Sequence, residues 1–182
     1  MPITLTALTS SFDNVDANSY TSASISPAAN QLIVAVFSSR STGTPVAPTV
    51  TGNGLTWVSM VTLPFATVAS PTRRITAFRS MSNGTPAAGA VTFDGVTGSQ
   101  FGAWSIFALA SVDTGGTNGS GAVVQVGSNR DNSVSTLTVT LSAFGAAENG
   151  LFGGFGTATD NAITPGTGLT EIHDVGGINP NT

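Results

Sequence analysis

The residues of this chain that could do chemistry are few and scattered. Asp113-Thr114-Gly115 follows an apolar run and has the form of a loop that presents a catalytic carboxylate for peptide hydrolysis. That chemistry needs two carboxylates sharing one proton, held so close that both cannot ionise. The sequence contains no second Asp-Thr-Gly or Asp-Ser-Gly, so a second copy of the chain would have to supply it. The triplet instead opens onto Gly116-Thr117-Asn118-Gly119-Ser120-Gly121, which are turn residues throughout. Asp113 is therefore expected to be a loop residue.

Serine-nucleophile chemistry would rest on His173, the sole histidine, in LTEIHDV. No Gly-x-Ser-x-Gly elbow partners it, and a satisfied or solvent-facing strand histidine is expected. Paired carboxylates for glycoside hydrolysis would come from Asp13, Asp16, Asp94, Asp131, Glu148, Asp160, Glu171 or Asp174. All of these sit near turn signals, as solvated loop acids do. Asp13, Asp16 and Asn18 offer oxygen ligands within one short stretch, but not at the spacing of a calcium loop. Gly153-Gly154-Phe155-Gly156 lacks the third spaced glycine and the helix of a phosphate loop, and reads as a tightly packed strand. Trp57, Trp104 and Tyr20 could stack on sugars, but the two tryptophans have apolar strand companions and are expected in the core. Asn83-Gly-Thr and Asn118-Gly-Ser fit the glycosylation sequon, which means little without a secretion signal. No catalytic, cofactor or metal residue is assigned, and no cofactor is expected.

Composition sets the same limits. The 182 residues suit a single domain over 1–182. There is no cysteine, so disulfides, thiolate metal sites and cysteine nucleophiles are excluded. Charged residues make up 8% of the chain, against roughly 25% in an average domain. The five cations are all arginines, which rules out a P-loop or Schiff-base lysine. A net charge of −4 without a basic cluster gives no footprint for nucleic acid. No apolar run is long enough to span a membrane as a helix. MPITLTALTS has neither the basic start nor the apolar core of a signal peptide, so synthesis in a cytoplasm is expected. Neutral Ser, Thr, Asn and Gly surfaces suit packing against other subunits, because little charge must be desolvated.

The elements that would position these residues are strands. Ile3, Leu5 and Ala7 alternate with threonines, and within Val134–Leu141 the residues Leu137, Val139 and Leu141 alternate with Thr136, Thr138 and Thr140. Leu55, Trp57, Val61 and Leu63 share a face. Leu32–Phe37 and Phe101–Ala110 are apolar on both faces, as in central strands or strands covered by a neighbouring subunit. Asn53-Gly54, Asn83-Gly84, Asp94-Gly95, Asn118-Gly119 and Asn149-Gly150 mark tight turns. Ala143–Asn149 could form one helical turn. The expected fold is an all-β antiparallel β-sandwich, jelly-roll-like, of about ten to twelve short strands.

Four segments carry a resemblance. GNGLTWVSM (52–60), RRITAFRS (73–80), GAVTFDG (89–95) and GAWSIFALASVDTGGTNGSGAVVQ (102–125) resemble a β-sandwich domain of bacteriophage virion structural proteins and related bacterial surface proteins. The resemblance covers roughly residues 17 to 176 and is most specific from Trp104 to Gln125. It implies no catalytic residues. It does imply a non-enzymatic structural protein of the virion, as a capsid decoration or head-surface protein or a tail or fibre component. The implied partners are other virion proteins, and the apolar faces of Leu32–Phe37 and Phe101–Ala110, with few charges to hold subunits apart, add further copies of the chain, most simply as a trimer. The alternative is a glycan-binding or adhesion module that recognises a host surface glycan. Such domains continue for a strand or two beyond the point where this chain reaches Ile178-Asn179-Pro180-Asn181-Thr182, so more chain or a neighbour would supply that edge.

Overall fold

The computed structural model describes residues 2–67, 69–132, 134–146, 148–159 and 162–174. Seven strands follow in order: β1 (Thr4–Asp13), β2 (Ala17–Thr21), β3 (Gln31–Ser41), β4 (Thr49–Gly52), β5 (Val58–Phe65), β6 (Arg73–Ser82) and β7 (Val91–Ala110). All pairings are antiparallel and belong to one sheet. Its main path runs β1-β7-β3-β6-β5, while β2 and β4 pair with the first part of β7. The described residues contain no helix. The all-β antiparallel class expected from alternation is therefore present, with seven strands where ten to twelve were expected.

β7 organises the molecule. Its first part lies between β2 and β4, through Tyr20↔Phe93 and Val50↔Phe93, and its last part lies between β1 and β3. A strand rising ~3.3 Å per residue would hold Phe93 and Trp104 more than ~30 Å apart. Their ring centroids are 6.2 Å apart, so β7 doubles back on itself. The turn lies where the register with β2 breaks, between Ala17↔Ser99 and Ser19↔Asp94. Gly95 (φ 76°) and Gly98 (φ 72°) supply the left-handed backbone, and Val96 between them is buried.

The main core fills the space inside that fold. Ile33, Ala35 and Phe37 of β3 face Ala108, Ile106 and Trp104 of β7, and Tyr20, Val91 and Phe93 close over them. Phe93 stacks on Phe37 at 4.5 Å with the rings 11° from parallel. The opposite face of the sheet holds Leu32 and Val34 of β3 and Met81 of β6, and chain beyond β7 covers it with Val112, Ala122, Val123 and Phe152. Leu32–Phe37 and Phe101–Ala110 are thus apolar on both faces because β3 and β7 are central strands. One face is covered within the folded sheet and the other by the chain's own later segment.

That later segment departs from expectation. Among the described residues from 111 to 174 there is no strand, although Val134–Leu141 alternates like one. Its backbone is bonded by side-chain amides in place of a ladder: Gln125 Nε2 donates to Ser142 O at 3.0 Å, and Asn129 Nδ2 to Thr138 O at 2.7 Å. β5 starts only at Val58, so Leu55 and Trp57 lie before the strand, and a bulge separates Ser59 from Val61. The described residues of 143–149 contain no helix, and Ala147 lies outside the described residues. Asp160 and Ile178–Thr182 lie outside the described residues.

Candidate functional site

The carboxylate of Asp113 is committed to its own loop. Leaving β7, the chain reverses at Ser111 (φ 61°), and Asp113 Oδ1 then accepts the Gly115 N–H at 2.7 Å. Gly121 N–H donates to Gly115 O at 3.1 Å, and Ser120 Oγ accepts Thr117 N–H at 2.9 Å. These bonds knot residues 113–121 into a compact turn. Gly119 (φ 81°) lies against Leu32, where a Cβ would stand 2.6 Å from its Cδ1. Asn118 O accepts from Arg79 Nε at 3.2 Å, which moors the loop to β6. The loop that the triplet opens is thus a buttress on the sheet, with Asp113 exposed at its start.

Three of the Asn-Gly turns converge at this end of the molecule. Asn53 (φ 53°) and Gly54 (φ 63°) follow β4, Asn83-Gly84 follows β6, and Asn118-Gly119 lies in the loop just described. Between them is an open groove of about 280 Å³ lined by Leu55, Thr56, Met81, Asn83, Thr85 and Asn118, among others. A second hollow of about 310 Å³ adjoins it across Gly54 and Pro86. Asn53 is 7% exposed and braces the wall, its Nδ2 lying within hydrogen-bond reach of Ile25 O, Ala87 O and Gly89 O. The lining of both hollows carries amides, hydroxyls and aliphatic surface with no ionisable side chain. Such a surface can hydrogen-bond a neutral ligand but cannot move a proton at neutral pH.

The other residues singled out in the sequence lie apart from this groove. His173 Nδ1 is 2.8 Å from Ser105 Oγ, a pairing the sequence does not reveal because the residues are 68 positions apart. Ser105 lies mid-strand on β7, between Ser10 of β1 and Val36 of β3. Backbone N–H groups there serve the ladders on both sides, so they cannot form the donor pair an oxyanion needs. The contact clasps the chain end to the sheet. Asp13 Oδ1 accepts the N–H of Val15 at 2.9 Å, and Asn18 Oδ1 that of Gly98 at 3.4 Å, so two of the three candidate calcium ligands hold the β1–β2 connection and the β7 turn. Among the described residues, no three or more His, Asp or Glu side chains are grouped to hold a metal ion.

The aromatic candidates separate. Trp104 is 6% exposed and belongs to the main core, while Trp57 is half-buried, packs against that core and donates from Nε1 to Gly52 O at 3.3 Å. Tyr20 is buried with its hydroxyl near Val15 O (3.0 Å) and Ser99 O (3.3 Å). Burial raises its pKa above the ordinary tyrosine value, and the charges of Asp13 and Asp16 add to the rise.

The glycine run is packed as tightly as expected, although not as a strand. A Cβ on Gly154 would stand 2.7 Å from Val36, and one on Gly156 would stand 2.8 Å from Phe65. Phe152 meets Phe107 edge-on at 5.1 Å, and Arg73 donates to Ala158 O at 2.9 Å. Residues 150–158 therefore cross the sheet as a strap, from beside Ile3 to β5 and β6. Compared with family models, curated proteins and solved structures, the chain matches none.

Proposed function

We propose that this chain is a non-enzymatic structural protein of a bacteriophage particle, acting through packing between subunits. In this reading its doubled-over sheet is one part of a jelly-roll-like β-sandwich. The observation that carries it is the distribution of exposed apolar side chains. Of fourteen large ones exposed among the described residues, eleven lie between Val124 and Ile172. Scattered apolar residues are ordinary on a protein surface, but concentration in one segment marks a contact. The low charge of the chain lowers the penalty for burying its surface. The particle itself is named by the resemblance carried by residues 102–125. Capsid decoration and tail or fibre placement are equally compatible with these features.

The test is to fractionate purified particles and probe for the chain. It should co-purify with them at a fixed ratio to the major particle proteins. Recovery only among free lysate proteins would refute the reading.

A glycan-binding or adhesion module is the second reading. The neutral groove beside Asn83, Asn118 and Thr56 favours it, since amides and hydroxyls over aliphatic surface suit a saccharide. Binding on a glycan array that Asn83→Ala abolishes without loss of stability would replace the structural reading with this one.

A further inference from the structure

Residues 135–142, Ser-Thr-Leu-Thr-Val-Thr-Leu-Ser, have a strand signature that their own fold leaves unsatisfied. They alternate threonine with leucine and valine and contain no charge, proline or glycine, the composition of a segment that pairs readily. None of them joins a ladder. They fold back on residues 125–129, where Gln125 and Asn129 side chains reach their backbone and a Cβ on Gly127 would meet Leu141 at 2.8 Å. Leu137 and Val139 are each 38% exposed.

The sheet, for its part, ends in an edge with fewer of the usual protections than the other. β1 pairs only with β7, and β5, the other end of the main path, pairs only with β6. β5 carries Pro64, whose carbonyl takes the Arg130 guanidinium at 2.7 Å, and a bulge beside Ser59. Proline, charge and bulges are the devices that stop an edge from recruiting another strand. β1 has a bulge between Ala7 and Thr9, but no proline, and its only charge is Asp13 at its last position.

We propose that residues 135–142 of one copy add as a strand to the β1 edge of a second copy. Two features select a second copy as the occupant. Both segments are uncharged up to Asp13, so identical chains meet without repulsion and neither asks for a partner of opposite charge. Both also alternate threonine with apolar residues, so threonine rows meet threonine rows and Leu137 and Val139 meet the Leu5 row. These like-with-like cross-strand pairs stabilise a sheet, and main-chain bonds supply the affinity. This inference deepens the proposed assembly function by naming the surface that performs it.

Sedimentation velocity of the full chain over a concentration series tests it. The unaltered chain should self-associate. Leu137→Asp/Val139→Asp in the arm and Thr6→Lys on the edge should each weaken association by at least about tenfold, ~1.4 kcal/mol. Thr6→Lys combined with Thr138→Glu should recover part of the loss. Near-UV circular dichroism of Trp57 and Trp104 reports whether each variant keeps its core. If a variant does not fold, hydrogen exchange on the unaltered chain replaces it, with protection of β1 and of 135–142 rising together with concentration. An unaltered chain that stays monomeric, folded variants that associate as it does, or protection independent of concentration would overturn the proposal. Association through these segments in a chain absent from particles would leave this inference standing and sink the particle reading alone.

Discussion

Tyr20 makes the stability of this protein depend on alkaline pH. Burial raises its pKa above 10.0; a hydrogen bond with the Ser99 side chain opposes this, and the Asp13 and Asp16 charges reinforce it. In the unfolded chain the phenol ionises near ~10. As pH rises, the unfolded chain therefore loses the proton first. The contribution of Tyr20 is fully present below about pH 10 and is lost as pH climbs through the higher folded value. The chain has one tyrosine, no lysine and no cysteine, and the other group that burial moves toward this window is Arg74, whose pKa is lowered. Tyr20→Phe keeps the ring against Phe37 and removes the hydroxyl bonds, which should cost about 1 kcal/mol at neutral pH. It should also flatten the alkaline decline. Urea unfolding midpoints at neutral and alkaline pH compare the two proteins, and parallel declines would show the account of Tyr20 to be mistaken.

Among the elements, the strap over residues 150–158 has the most specific geometry. It forms no ladder, so it is held by close approach to the sheet and by a few side-chain bonds. Gly154 permits that approach over Val36 and Ile75. Gly154→Val would insert a branched side chain where 2.7 Å is available. The strap must then lift, at a cost of about 1–3 kcal/mol, the range for overpacking a filled site. Limited proteolysis should then cut within 143–174 faster than in the unaltered protein, while β1–β7 survive. Unchanged stability and cleavage would mean that the strap does not rest on the sheet as described. The turn in β7 is of a different kind, since Gly95 and Gly98 have open space around them. Their role is conformational.

For the molecule as a whole, Phe93 joins the two parts of the folded sheet. It is fully buried and touches the rings of Phe37, Phe78 and Trp104. Phe93→Ala should cost about 3–5 kcal/mol, as should Trp104→Ala, because each empties a filled core. Trp57→Ala should cost only ~1–2 kcal/mol, since Trp57 is half-buried and less apolar surface leaves water. Denaturant unfolding measures all three. A larger loss at Trp57 than at Phe93 would mean that the core is centred elsewhere.

Period-two alternation, Asn-Gly turns and the absence of cysteine and lysine determined, without any structure, an all-β antiparallel protein with little ionisable chemistry. Alternation located β1, although a bulge between Ala7 and Thr9 puts Leu8, outside the row of Ile3, Leu5 and Ala7, against the main core. The reading of Asp113 as a loop residue was legible too, because the turn residues after it are local. What tertiary structure alone decided is long-range. Alternation states that a strand has two faces but not which partner covers each. It therefore could not show that β7 doubles back at Gly95–Gly98, or that residues 150–158 cover the far side of β3. Nor could it distinguish Trp104 in the core from Trp57 beside it, since both have apolar neighbours in sequence. The Ser105–His173 contact and the groove shared by three Asn-Gly turns have no local signal, because each depends on strands far apart in the chain. Residues 135–142 mark the boundary between the two kinds of information. Their pattern encodes a strand, but pairing needs an available edge, and this chain's own fold bonds their backbone through side-chain amides.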